Sequence, residues 1–174
     1  MKTILETDRL LLREFVLDDA EALFRMVSDP DVTRYTGDGV KTLEEAKQGL
    51  EERLLEDYRK YGYGRWATVD KSTGKVIGFA GLKYLDEVSE VDLGYRFFKE
   101  YWGHGLATEA AKAVLDYGIR VLRLPRIIGI ADIENKASLR VLEKVGFQFE
   151  RFATYGGHDV AWFAIEVTMN RINR

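Results

Sequence analysis

The sequence predicts one α+β domain spanning residues 1–174: a mixed, mostly antiparallel seven-stranded sheet flanked by about four helices. Three observations carry that expectation. Strand-like runs at 65–70, 75–85 and 90–98 are joined by short turns, which is the signature of an antiparallel meander. The last of these runs leads through a glycine-bearing turn and an amphipathic stretch, Leu106 to Leu122, into another apolar run, and that order makes a crossover. The 174 residues, 46% apolar and 32% charged, suit one globular domain with a proper core, and no repeat or linker divides them.

Taken in order, Arg9 to Phe15 reads as a first strand, and Asp18 or Asp19 caps a short helix through Met26. Ser28-Asp-Pro-Asp31 stops it, because proline disfavours helix at the residue before it. A second helix runs from Leu43 to Tyr61, capped by Thr42 with Glu45 as capping-box partner. The meander follows. Beyond the central helix, Leu124 to Ala131 is a strand and Asn135 to Val145 a helix, with Gly146 placed for a left-handed C′ position. Phe147 to Tyr155 and Val160 to Met169 close the sheet.

Composition removes several functions. The absence of cysteine excludes disulfides, thiolate metal sites and a cysteine nucleophile. Two distant histidines give no metal-site spacing, so no metal is expected. A net charge of −3 makes no electrostatic case for nucleic acid. No apolar stretch approaches a membrane span, and Met1 to Glu6 is too short and too charged for a secretory signal, so cytoplasm is the expected location.

The central turn is Tyr101-Trp102-Gly103-His104-Gly105-Leu106-Ala107-Thr108. Where a helix begins, unpaired N–H groups and the positive end of the dipole favour an anion, and two glycines let a phosphate come close. Glycines before a helix are also plain turn chemistry. What lends weight to this turn is Asn135-x-x-Ser138-x-x-x-Leu142-Glu-Lys-x-Gly146-Phe147 further along.

Together these two motifs, with the opening Thr7-Asp-Arg-Leu-Leu-Leu-Arg13, resemble the GNAT superfamily of N-acetyltransferases, and within it the ribosomal-protein (RimJ/RimL-type) branch. Trp102 stands where the wider superfamily has Gln or Arg, a substitution usual in that branch. The resemblance implies a cleft between splayed strands holding acetyl-CoA as co-substrate. It also implies direct attack by an amine on the thioester, most simply the N-terminal α-amine of a protein. Backbone amides of Gly103 to Thr108 would grip the pyrophosphate, with Trp102, His104, Leu106 and Ala107 in the same turn. The main chain of Phe97 and Phe98 would pair with the pantetheine, and the Phe98 amide would polarise the thioester carbonyl. Asn135 would bind the pantetheine arm, Ser138 would protonate the leaving thiolate, and Lys144 would meet the adenosine phosphates.

The residues themselves leave alternatives open. Asn135 and Ser138 also fit a helix N-terminus, and Lys144 a last-turn cation suited to the helix dipole. Glu90, Asp92 and Gly94 share a strand face that serves either as a solvated surface or as the seat of a base, with Asp92 the candidate proton acceptor. Arg34, Tyr35, Tyr84 and His158 are candidate acceptor contacts. A small-molecule amine acetyltransferase and a non-catalytic acyl-CoA-binding module are the competing functions, and the chain is expected to be a monomer or a homodimer.

Overall fold

The computed structural model describes residues 1–168. Its strands are β1 (Thr3–Glu6), β2 (Leu10–Arg13), β3 (Arg65–Asp70), β4 (Lys75–Leu85), β5 (Glu90–Phe97), β6 (Arg126–Asp132), β7 (Gln148–Tyr155) and β8 (His158–Glu166). They form one sheet in the order β1-β2-β3-β4-β5-β6-β8-β7. Every pairing is antiparallel except β5–β6. The helices are α1 (Ala20–Val27), α2 (Leu43–Gly49), α3 (Glu56–Tyr61), α4 (Leu106–Arg120) and α5 (Lys136–Val145).

The sheet has eight strands rather than the expected seven. Residues 3–6 form a strand of their own, because Thr7 ends it: its N–H donates to the Leu10 carbonyl at 2.8 Å, and its hydroxyl accepts from the Leu10 amide at 3.0 Å. The expected second helix starts as predicted, Thr42 accepting from the Glu45 amide and Glu45 reaching back to the Thr42 amide. Between Leu50 and Leu55, however, it widens into a π-helical segment before α3. Asp19 does not cap α1 with its side chain; its carboxylate turns back to the Val16 amide and to Arg13. The last strand begins earlier than expected, at His158, and its expected end at Met169 lies outside the described residues.

Two apolar layers flank the sheet. One face packs α4 and α5 through Leu10, Trp66, Leu82, Leu93, Val114 and Ile127. The other face packs α1 and α2 through Phe15, Leu23, Val27, Leu50 and Ala67. Beyond β5 this second face has its own cluster of Leu85, Ile128, Val160, Trp162 and Ala164. Cover of the second face by α1 and α2 therefore does not extend past β5 to β6. That seam is where the site lies.

Candidate active site

The β5–β6 seam is splayed. A single register pair, Asp92 with Ile128, joins the two strands, whereas β4 and β5 pair over eight positions. The gap opens a cleft of about 320 Å³ that passes from one side of the sheet to the other. Tyr35, Asp38 and Phe79 line it on the α1–α2 side, and Tyr95, Asn135 and Ser138 on the α5 side.

On the α4 side, Gly103 and Gly105 both take left-handed backbone, with φ 76° and 75°. A Cβ on Gly103 would meet nothing within 4 Å, and Gly105 is the N-cap of α4 with no side chain closing the first turn. Glu109 makes the first backbone bond of the helix, donating to the Gly105 carbonyl at 3.1 Å. The preceding amides of that turn have no intrahelical acceptor. Arg9 pins the turn by donating to the His104 carbonyl at 2.9 Å while it pairs with Glu109, which also accepts from the Thr7 hydroxyl at 2.6 Å. These residues fit a pyrophosphate, and the fit depends on backbone rather than on side-chain charge. Gly105→Ala should weaken acetyl-CoA binding by about tenfold, because a left-handed alanine costs about 1–2 kcal/mol. Calorimetric titration with CoA measures it.

His104 and Lys144 are exposed, and neither lines the cleft. Trp102 is 47% exposed and donates its ring N–H to the Phe97 carbonyl at 3.0 Å, bracing the strand end. The role expected for Phe98 is corrected by register. Its N–H donates to the Ile77 carbonyl at 3.0 Å, so it faces β4 and is already used. Antiparallel pairing alternates the direction of successive residues, so Tyr95 and Phe97 turn their main chain toward the gap instead.

Asn135 caps α5, accepting from the Ser138 amide at 3.2 Å, and both residues line the cleft. The Ser138 hydroxyl lies 2.8 Å from the hydroxyl of Tyr95 on β5. Burial pushes the Tyr95 phenol up to about 12 against the hydrogen bond from Ser138, so Tyr95 keeps its proton at neutral pH.

Asp92 is buried at the crotch of the splay. Its carboxylate pairs with Arg65. Arg65 also donates to the Gly81 carbonyl at 2.6 Å and to the Asp92 carbonyl at 2.9 Å, so its orientation is fixed. Burial raises the Asp92 carboxyl above its ordinary value, and Arg65 offsets this only in part. Glu90 lies on the same strand but outside the cleft lining, where it accepts from Arg126 at 3.0 Å beside Glu150 and Glu166.

Of the four acceptor contacts expected, Tyr35 lines the cleft, with the Arg34 guanidinium 5.7 Å from its ring. Tyr84 is not in the lining; it packs on Tyr61 with ring centroids 5.3 Å apart, and its neighbour Lys83 takes the place on the wall. His158 stands one residue removed, its Nδ1 2.8 Å from the Oδ2 of Asp132, which does line the cleft. Arg65, Tyr95, Arg96 and Asp132 are wall residues that the sequence did not single out.

The cleft at the β5–β6 seam thus carries the Ser138–Tyr95 hydroxyl pair in its wall, and α4 starts at a glycine turn with no side-chain cap. Residues 9–148 match the acetyltransferase (GNAT) domain family. The chain belongs to the GNAT acetyltransferases and is an acyltransferase. It is 37% identical over 152 residues to the uncharacterized N-acetyltransferase YoaA of Bacillus subtilis, covering 86% of this chain and 85% of YoaA. It is 41% identical over 75 residues to the spermidine N(1)-acetyltransferase of Escherichia coli, 41% of this chain and 40% of that one. In fold it matches RimL, the ribosomal L7/L12 alpha-N-protein acetyltransferase solved with coenzyme A. The TM-score is 0.81 at 19% identity, covering 95% of this chain and 98% of RimL.

Proposed function

We propose that this acetyltransferase moves the acetyl group of acetyl-CoA to the N-terminal α-amine of a protein, by direct attack and in the cytoplasm. The observation that supports this acceptor is the pairing of Asp92 with Arg65 in the cleft wall. Even raised by burial, a carboxylate remains a much weaker base than an amine. An α-amine has a pKa of about 7.7–8.0 and is roughly a tenth uncharged at neutral pH, whereas lysine at about 10.4 is well under 1% uncharged. The weak base suits the α-amine.

In this reading the amine nitrogen attacks the thioester carbon, a C–N bond forms, and the C–S bond breaks as the tetrahedral adduct collapses. Asp92 takes the ammonium proton through water, and Ser138 protonates the departing thiolate. The main chain of Tyr95 or Phe97 polarises the carbonyl. The Gly103–Thr108 amides hold the pyrophosphate, Asn135 the pantetheine, and Lys144 the adenosine phosphates.

The partial identity to a spermidine acetyltransferase favours a second reading, a small-amine acceptor. Thiol release from acetyl-CoA separates the two across peptides with free or blocked N-termini, polyamines and aminoglycosides. Turnover confined to free-N-terminal peptides is expected. Turnover on small amines alone would reject the protein acceptor, and CoA binding with no turnover would reject transfer altogether.

A further inference from the structure

We infer that the acceptor amine carries a carboxylate, held at the cleft by Arg53 and Lys83. The inference rests on the acetyl-transfer reading and narrows its acceptor. Four acids and four bases line the cleft: Asp38, Glu45, Asp92 and Asp132 against Arg53, Arg65, Lys83 and Arg96. All four acids are engaged. Asp92 pairs with Arg65, Asp38 with Arg96 at 3.0 Å, and Asp132 with His158, while Glu45 accepts from the amides of Lys41 and Thr42. Arg65 and Arg96 are thereby used. Arg53 and Lys83 pair with no carboxylate among the described residues, so they are the two cations of the lining left open to a partner. Asp57, outside the lining, feels Lys83 without bonding to it, and burial still raises its carboxyl.

The backbone is arranged to present Arg53. The π-helical segment Leu50–Leu55 carries Arg53 and Leu54 to the wall, and wide turns of this kind recur at functional sites. The guanidinium lies across Gly49, where a Cβ would stand 2.7 Å from Nη2, so a side chain there would displace it. Lys83 alternates on β4 with Leu82, which faces α4, and therefore points to the α1–α2 face with Asp92. Both cations thus lie across the sheet from the helix N-terminus suited to the cofactor phosphates. They face the acceptor. Beside these two side chains a polyamine would find no acceptor, whereas a carboxylate next to the amine would find two partners.

That carboxylate could be an acidic side chain near a peptide N-terminus or the α-carboxylate of a free amino acid, and the test separates them. Amidated Ser-Asp-Glu-Ala and its neutral isostere Ser-Asn-Gln-Ala form one arm, glycine and glycinamide a second, spermidine a third. We expect kcat/KM for the acidic peptide to exceed that of its isostere by about tenfold at low salt, mostly in KM, since two partly exposed charge pairs give a gain of that order. The ratio should fall to about one in the Arg53→Gln, Lys83→Gln double variant. Preference for glycine over glycinamide, with no peptide turned over, would keep the carboxylate and remove the protein acceptor. Equal turnover of the isosteres in both peptide and amino-acid arms, better turnover of spermidine, or a preference that survives the double variant would overturn the inference. Calorimetry on the CoA-loaded protein with the same ligands reads the preference without chemistry. Equal binding there overturns the inference even if nothing is acetylated, and preferred binding upholds it even if transfer fails.

Discussion

Ser138→Ala is expected to lower kcat by about 10²-fold or more, the usual worth of a placed proton donor. The Kd for acetyl-CoA should stay within about twofold, because the Asn135 cap and the α4 turn remain. Two hydroxyls, of Tyr95 and Ser138, stand 2.8 Å apart in the wall of the cleft. Tyr95 retains its proton because burial has pushed it up to about 12. The Tyr95 hydroxyl also donates to the Ser138 carbonyl at 3.2 Å, which leaves the serine hydroxyl free to turn its own proton to the sulfur as the C–S bond breaks. Alanine removes that proton and leaves the backbone cap unchanged. Tyr95→Phe should fall between parent and Ser138→Ala, since it frees the serine rotor without deleting its proton. Rapid-mixing measurement of thiol release, alongside calorimetry with CoA, separates kcat from Kd. Parent-like turnover in Ser138→Ala would take the serine out of the reaction.

What could be read from the sequence was what depends on local spacing. The turn at Gly103 and Gly105, the Asn135 cap and the position of Ser138 each follow from a helix start a few residues long. Asp92 was legible as one residue of an alternating strand. Its partner was not, because Arg65 comes from a strand 27 residues earlier and meets Asp92 only through register. The same limit explains Phe98. Whether an amide faces β4 or the gap is fixed by how the 86–89 turn sets pairing, and one residue of slip reverses it. Tyr95 reads as a core aromatic until α5 places Ser138 beside it. The π-helical segment at Leu50–Leu55 is invisible to a 3.6-residue pattern, since residues on both sides still alternate apolar and charged as an α-helix would. Fold class therefore emerged early. The acceptor side, assembled from β3, β4, β5 and a distorted helix, did not.

Asp92→Asn should slow kcat by about 10²-fold while leaving the fold intact, and the direction of its ionisation explains both. Removing one partner of a buried pair usually costs about 3–5 kcal/mol, through the charge left behind. Here burial outweighs the attraction of Arg65, and the Asp92 carboxyl is raised. A group raised on folding adds stability that is fully present below its unfolded pKa and lost as pH climbs through the folded value. At neutral pH the ionised Asp92 is thus a burden on the native state relative to its neutral form. An uncharged isostere can still accept from Arg65, so urea unfolding of Asp92→Asn should lie within about 1 kcal/mol of the parent. Arg65→Gln is the opposite case: it strands the carboxylate without its cation and should cost about 3 kcal/mol or more. Because Asp92→Asn stays folded, its kinetics report chemistry. The same raised carboxyl is a better base near neutrality than an ordinary aspartate, so the acid limb of kcat against pH should belong to Asp92 and vanish in the variant. A limb that persists unshifted would belong to the bound amine and would leave Asp92 as the clasp that holds β5 to β6.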